Sequence, residues 1–272
     1  MKIPSLRMNT GAQIPQIGLG LWLNKNEQEC KQAVKDALEI GYRHFDSAQD
    51  YKNEQFLGAA LKESNFPRRD VFITTKIWND NFWWDDLIPS FEESLKKLQT
   101  DYVNLLLLHF PVTETRRPAW RRMEKIHKSG RAKAIGVSNY MIHHLEELLA
   151  ECKVKPAVNQ IELHVFLQMP EVVEYCQKKG IVVEAYSPLA RGHKMDNPVL
   201  VSIAKKHGKT TAQIMIRWCV DIGTVPLPKS THKDRIKENI EVFDFKLDSD
   251  DMKKIKSLDK NMRTNWDPTN IP

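Results

Sequence analysis

The run VNLLLLH at residues 103–109 decides the fold class. Four leucines in succession cannot alternate between a wet face and a dry one. A strand made of them is buried on both sides, as in a parallel sheet covered by helices. IVVEAYS at 181–187 has the same character. Six further β-rich runs keep the rhythm: YRHFD (42–46), VFITTK (71–76), KAIGVS (133–138), AVNQIE (157–162), TVPLPK (224–229) and EVFDF (241–245), making eight in all.

Helical periodicity fills the intervals. Cys30, Ala33, Val34, Ala37 and Leu38 repeat on one face before Gly41, and Leu87, Ile88, Phe91, Leu95 and Leu98 do the same. The stretch 211–221 carries Ile214, Met215 and Trp218 before Gly223. Strands and helices in alternation predict an α/β fold, and eight units predict a closed (β/α)8 TIM barrel forming a single domain over 1–272. An open, doubly wound sheet is the competing architecture, but its GxGxxG turn between strand and helix is absent. GLGLW at 18–22 has only two of those glycines, and polar residues separate it from the first helix. SLRMNTGAQIP at 5–15 reads as a β-hairpin turning at NTG, placed to close the bottom of the barrel.

Composition excludes several classes. Apolar residues make up 41% and charged residues 28% of the 272, which is globular rather than disordered. No apolar run approaches the ~20 residues of a membrane span, and MKIPSLRMNTG lacks the apolar region of a secretory signal. Cys30, Cys152, Cys176 and Cys219 are scattered, which suits reduced thiols and a cytoplasmic location. The net charge of +6 is spread without the aromatic interleaving of nucleic-acid binders. RRPAWRR at 116–122 is read as a solvated helix face.

Chemistry in a barrel gathers at the C-terminal ends of the strands. Asp46 ends one run with Tyr51 just beyond it, Lys76 ends the next, and His109 the third. Singly, each has an ordinary reading: Asp46 as a helix cap, Tyr51 as packing, Lys76 as a snorkelling chain, His109 as a core histidine. Together, at one end of three successive runs, they describe a carbonyl-reducing centre. A phenol has a pKa near ~10, and an ammonium ~4 Å away favours its phenolate by ~4 kcal/mol at an effective dielectric of ~20. Asp46 would hold Lys76 charged, His109 would offer a neutral N–H to the substrate oxygen, and Tyr51 would donate the proton.

Other schemes lack their residues. GVSNY misses the second glycine of a nucleophile elbow. No HExxH occurs, and His143 and His144 would point apart on a helix, so no metal site is expected. In PKSTHKDRIKEN at 228–239, Thr231 and Asp234 have capping-box spacing at the start of a short helix. That helix terminus, with Lys229 and Arg235, makes a phosphate pocket that favours NADPH over NADH.

The chain resembles the aldo-keto reductases. The resemblance rests on GYRHFDSAQDYKNE, FITTKIWN, LLLLHFP, AIGVSNY, AVNQIELH, AYSPLA and PLPKSTHKDRIKEN in that order. In length and short loops it is most similar to the prostaglandin F synthase and diketogluconate reductase branch. The resemblance implies an eight-fold barrel with Asp46, Tyr51, Lys76 and His109 as the catalytic tetrad. It further implies an NADPH site in which Ser138, Asn139 and Gln160 meet the carboxamide and Tyr186 stacks on the nicotinamide, with Ser187 and Leu189 beside it. Lys229, Ser230 and Arg235 would take the phosphate, and Glu238 and Asn239 the adenine. Trp22, Trp78 and Phe110 match substrate-pocket positions, where the family usually has tryptophan at the last. Val165 stands where a proline commonly follows ELH, and Ala190 and Arg191 replace the commoner glycine and polar residue. The tail NMRTNWDPTNIP would fold Trp266 over the pocket. The implied protein is a monomer reducing small carbonyl compounds; a non-catalytic barrel of the same family is the alternative.

Overall fold

A strand of two residues closes the sheet that the longer apolar runs build. The computed structural model describes residues 3–83 and 85–272. An antiparallel hairpin comes first, β1 (Ser5–Arg7) with β2 (Gln13–Pro15). Next come β3 (Leu19–Gly20), α1 (Glu27–Ile40), β4 (His44–Asp46), α2 (Glu54–Glu63), β5 (Phe72–Ile77) and α3 (Leu87–Leu98). The middle of the chain adds β6 (Val103–Leu108), α4 (Arg116–Lys128), β7 (Ala132–Ser138), α5 (Ile142–Glu151), β8 (Val158–Glu162) and α6 (Pro170–Lys178). The last third holds β9 (Val182–Tyr186), α7 (Pro198–His207), α8 (Thr211–Asp221), β10 (Val225–Leu227), α9 (Lys233–Ile240) and α10 (Ser249–Lys256).

Strands β3 to β10 are parallel neighbours in strict chain order. The ends of this eight-stranded sheet meet, because the Gly18 and Gly20 amides donate to the Pro226 and Pro228 carbonyls at 3.1 and 3.0 Å. The expected (β/α)8 barrel is therefore present. Gly20 permits the closure: a Cβ there would stand 3.0 Å from the Leu227 carbonyl oxygen.

Two expectations shift as a result. GLGLW supplies the first barrel strand, so Asp46 ends the second strand and His109 follows the fourth. EVFDF (241–245) forms turns instead of a strand. Its backbone finds partners on α8: Arg217 Nη1 donates to the Val242 carbonyl at 2.9 Å, and the Leu247 amide just beyond donates to Asp221 Oδ2 at 3.0 Å. With eight strands already closed, no ladder is left for it to join.

The quartet of leucines divides as its consecutive burial demands. Leu106 and Leu108 pack outward into the core shared with the helices. Leu105 and Leu107 face into the barrel, where Met8 and Ile14 of the hairpin join them with Phe72, Val158 and Val225. The hairpin thus seals the end from which the strands start, and Asn9 Nδ2 bonds the Pro156 carbonyl there at 2.9 Å. RRPAWRR is less solvated than expected. Arg116 and Arg122 are buried, and Arg116 donates to both carboxylate oxygens of Glu147, at 3.0 and 2.5 Å. The four cysteines are free thiols. Among the described residues no helix is long and apolar enough to cross a membrane.

Gly136 of β7 lies against its neighbour so closely that a Cβ would come within 2.5 Å of the Val158 carbonyl oxygen. Gly136→Ala is expected to lower stability by about 1–3 kcal/mol, as overpacked sites do, measured by urea unfolding.

Candidate active site

Lys76 belongs to β5 and is fully buried. An ammonium has three donors, and here all three are used: on Asp46 Oδ1 at 2.6 Å, the Ser47 carbonyl at 3.0 Å and Tyr51 Oη at 3.2 Å. The parallel register of β4 and β5 sets Asp46 beside Thr74, two residues before Lys76 on the same face. Tyr51 ends the single helical turn Gln49–Tyr51 that follows β4. Gln49 pins that turn, its Oε1 accepting from the Trp78 amide at 2.8 Å and its Nε2 donating to the Ser90 carbonyl at 3.1 Å. Asn53 locks the next stretch, accepting from Ser47 Oγ at 2.7 Å and donating to the Leu21 carbonyl at 2.8 Å.

The electrostatics differ from the simple expectation at one point. Burial pushes the Tyr51 phenol up to about 12, and the opposing pull of Lys76 does not overcome it. Asp46 compensates the lysine's field as well as holding it in place, so the phenol keeps its proton at neutral pH. Burial works against the Lys76 charge too, yet Asp46 and Tyr51 together hold its pKa above the ordinary lysine value. His109 is neutral, held well below the usual histidine range by burial and by Lys76. Its ring meets Tyr51 edge-on at 5.7 Å, and its Nδ1 has no hydrogen-bond partner among the described residues.

Polar strand ends surround this group. Gln160 Nε2 donates to Asp46 Oδ2 at 2.9 Å and to Glu184 Oε2 at 2.8 Å. Asn139 Nδ2 donates to the His109 carbonyl at 3.0 Å, and its Oδ1 accepts from Tyr186 Oη at 2.7 Å. Ser138 Oγ donates to the Gln160 carbonyl at 2.9 Å. Asn139 and Ser187, just past β7 and β9, have left-handed φ of 65° and 50°. Asparagine tolerates that conformation readily, while a serine there costs some backbone strain.

One cavity of 910 Å³ joins these groups. Asp46, Tyr51 and His109 line it, as do Ser138, Asn139, Gln160 and Tyr186. So do Trp22, Ser187 and Leu189, and, from β10 and α9, Lys229, Ser230, Arg235, Glu238 and Asn239. Lys76 stands behind Tyr51. Trp78 and Phe110 do not line this cavity. They pack instead on Trp266, at ring separations of 5.7 and 5.9 Å, and Trp266 does line it. The capping box is not formed: α9 starts at Lys233 after His232, one residue too late, and Ser230 Oγ accepts from the His232 amide at 3.1 Å instead. Nor do His143 and His144 point apart. Their rings are 3.9 Å from each other and both Nε2 atoms donate to the Ile271 carbonyl.

Sequence reasoning passed over two buried carboxylates, Glu162 and Glu184, although an acid inside an otherwise apolar barrel strand is itself a signal. Glu184 is fully buried, and its Oε1 lacks a hydrogen-bond partner among the described residues, with His44 Nε2 3.5 Å away. Burial, reinforced by the nearby Asp46 charge, raises the Glu184 pKa well above the ordinary carboxylate range. Burial lowers His44 to about 3, so that imidazole is neutral.

Comparison with known proteins places the chain in a family. The Aldo/keto reductase family pattern matches residues 16–260, and the chain belongs to that family. Among its relatives, glyoxal reductase of Bacillus subtilis (strain 168) is 43% identical over 267 residues, 98% of this chain and 97% of the relative. Methylglyoxal reductase DkgA of Escherichia coli (strain K12) is 44% identical over 269 residues, 97% of this chain and 96% of the relative. The crystal structure of aldo-keto reductase AKR2E5 complexed with NADPH superimposes with a TM-score of 0.94 at 36% identity, covering 97% of this chain and 90% of that one.

A carboxyl whose folded pKa is raised contributes stability that is fully present below its unfolded value and is lost as pH rises through the folded one. Wild type should therefore lose stability relative to Glu184→Gln as pH is raised from about 4.5, read from urea unfolding of both proteins at pH 5 and pH 8. Parallel curves at the two pH values would contradict a neutral Glu184.

Proposed function

We propose that the protein reduces small aldehydes, ketones and dicarbonyls to alcohols using NADPH, with Tyr51 as the proton donor. The observation that carries this reading is the Lys76 ammonium, spent on Asp46, Ser47 and Tyr51, with the phenol it touches lining a large cavity. The glyoxal and methylglyoxal reductases at 43% and 44% identity support small dicarbonyls as the substrate class.

The residues around the cavity fit a phosphorylated dinucleotide. Lys229 and Arg235 are exposed on its wall and take part in no ion pair among the described residues, which leaves both cations for an anion. The first amides of α9 add a favourable dipole. Tyr186 offers a flat ring on the same wall, and Ser138, Asn139 and Gln160 offer amide and hydroxyl partners for a carboxamide. Bound there, NADPH would supply the hydride for carbonyl reduction.

The protein's own part is the proton. Tyr51 retains it at neutral pH because burial disfavours the phenolate. Negative charge developing on the carbonyl oxygen draws the proton from Tyr51 Oη and leaves a phenolate 3.2 Å from Lys76 Nζ. At an effective dielectric of ~20 that contact is worth about 5 kcal/mol, and it arises only as the proton leaves. Asp46 keeps the amine charged so that the contact is available. Neutral His109 can donate one N–H to the same carbonyl oxygen and orient it.

Tyr51→Phe is expected to lower kcat for methylglyoxal reduction by about 10²-fold or more while NADPH affinity stays within about twofold, followed by NADPH absorbance and by cofactor fluorescence. Turnover equal to wild type would remove Tyr51 as the acid; NADPH binding without turnover in wild type would leave a binding protein. Lys229→Ala combined with Arg235→Ala should weaken NADPH binding by about 10²–10⁴-fold and NADH binding little, since each of the two charge-assisted phosphate bonds is worth about 1.5–3 kcal/mol.

A further inference from the structure

Glu162 ends β8 with only 1% of its surface exposed, and no residue of the proposed catalytic set bonds its side chain. Its carboxylate turns to the C-terminal tail. Oε1 accepts from the Thr264 amide at 2.7 Å and the Thr264 hydroxyl at 2.6 Å, and Oε2 from the Asn265 amide at 3.2 Å. His164 Nε2 lies 3.3 Å from Oε1. An ionised carboxylate only accepts, so every neighbour here is matched to it. The bonds from His164 and Thr264 outweigh burial and hold its pKa below the ordinary range.

The residue after this clasp is Trp266. It is half exposed, and its ring packs on Trp78, His109 and Phe110 at 5.7, 6.0 and 5.9 Å. The tail is tied down on both sides of this point. Lys260 and Met262 amides donate to the Phe166 carbonyl, and Ile271 and Pro272 are held by His143, His144 and Arg116. Between those anchors the chain has no regular secondary structure, and Glu162 is its buried partner. Two looser ties reach the loop after β9: Arg191 Nη1 to the Thr264 carbonyl at 3.0 Å and Asn265 Nδ2 to Ser187 Oγ at 3.2 Å.

We infer that Glu162 is a positioning residue for substrate selection: by fixing Thr264 and Asn265 it sets Trp266 as a wall of the carbonyl pocket, which then favours small dicarbonyls over those with a bulky substituent. The inference rests on the proposed reductase reading for its substrate arm. Its structural arm stands on the clasp alone. Glu162→Gln keeps the side-chain volume but puts an N–H₂ where one acceptor stood, against donors of Thr264 or Asn265. Thr264→Val removes the hydroxyl bond without touching the barrel.

The test compares methylglyoxal with phenylglyoxal in wild type, Glu162→Gln, Thr264→Val, Trp266→Ala and the Glu162→Gln/Trp266→Ala double variant. Glu162→Gln and Trp266→Ala should each shift the ratio of kcat/KM toward phenylglyoxal by about tenfold, mainly through KM, with the double variant going no further than Trp266→Ala alone. Thr264→Val should shift it the same way by about threefold, since one of the bonds is lost. A wild-type ratio in both Glu162→Gln and Thr264→Val, or an equal loss of kcat on both substrates, overturns the inference, and if Glu162→Gln does not fold Thr264→Val decides. The ¹⁹F resonance of 5-fluorotryptophan at Trp266, assigned by its loss in Trp266→Phe, should move or broaden in Glu162→Gln or Thr264→Val whether or not the protein turns over. An unmoved resonance in both overturns the clasp, whereas a moved one with no turnover in wild type overturns only the reductase reading.

Discussion

A lysine ammonium sealed inside a barrel is the constraint on which the rest of this site depends. Taking a charge out of water costs several kcal/mol even after relaxation, and leaving it unpaired costs more. Lys76 meets that requirement with three acceptors at 2.6, 3.0 and 3.2 Å, one ionised, one a backbone carbonyl and one the phenol of Tyr51. Remove any of them and a buried donor loses its partner. The same arrangement that makes the amine tolerable therefore fixes the position of the phenol.

The surrounding barrel interior is arranged to hold one compensated charge pair and little else. His44 and His109 are kept neutral by burial. Glu184 is pushed toward its neutral form by burial and by the Asp46 charge, while the Gln160 amide bridges the two carboxyl groups. With its neighbours neutral, Asp46 is the counter-charge Lys76 has, and the ammonium's field is available to Tyr51 only as a phenolate forms. An ammonium so placed favours a Tyr51 phenolate more than it favours the resting phenol, which is what the proposed proton transfer would draw on. Outside this centre the tail brings Trp266 onto His109, Trp78 and Phe110, so the pocket wall is made by a segment far away in sequence.

Much of this could be read in the sequence because a barrel turns strand order into site geometry. Consecutive leucines at 105–108 could only mean two buried faces, and the polar residues ending successive runs had to meet at one mouth. The misreadings have physical causes. Leu19–Gly20 is too short and too glycine-rich to register as a strand, although glycine is what lets the two ends of the sheet approach. EVFDF has strand-forming residues, but its backbone is satisfied by Arg217 and the chain just past it by Asp221. The Tyr51 shift depends on a competition between burial and a nearby charge, and sequence supplies the charge without the burial. Glu162 was silent because its partners, Thr264 and Asn265, lie about a hundred residues away in an irregular tail, where no periodicity points to them.

Neutron diffraction from crystals grown in D₂O near neutral pH shows the protons on Lys76, Asp46 and Tyr51 themselves. Three deuterons are expected on Lys76 Nζ, directed at Asp46 Oδ1, the Ser47 carbonyl and Tyr51 Oη, with a deuteron retained on Tyr51 and none on Asp46. A neutral Lys76 amine, a protonated Asp46 or a bare Tyr51 phenolate in the resting protein would contradict that arrangement.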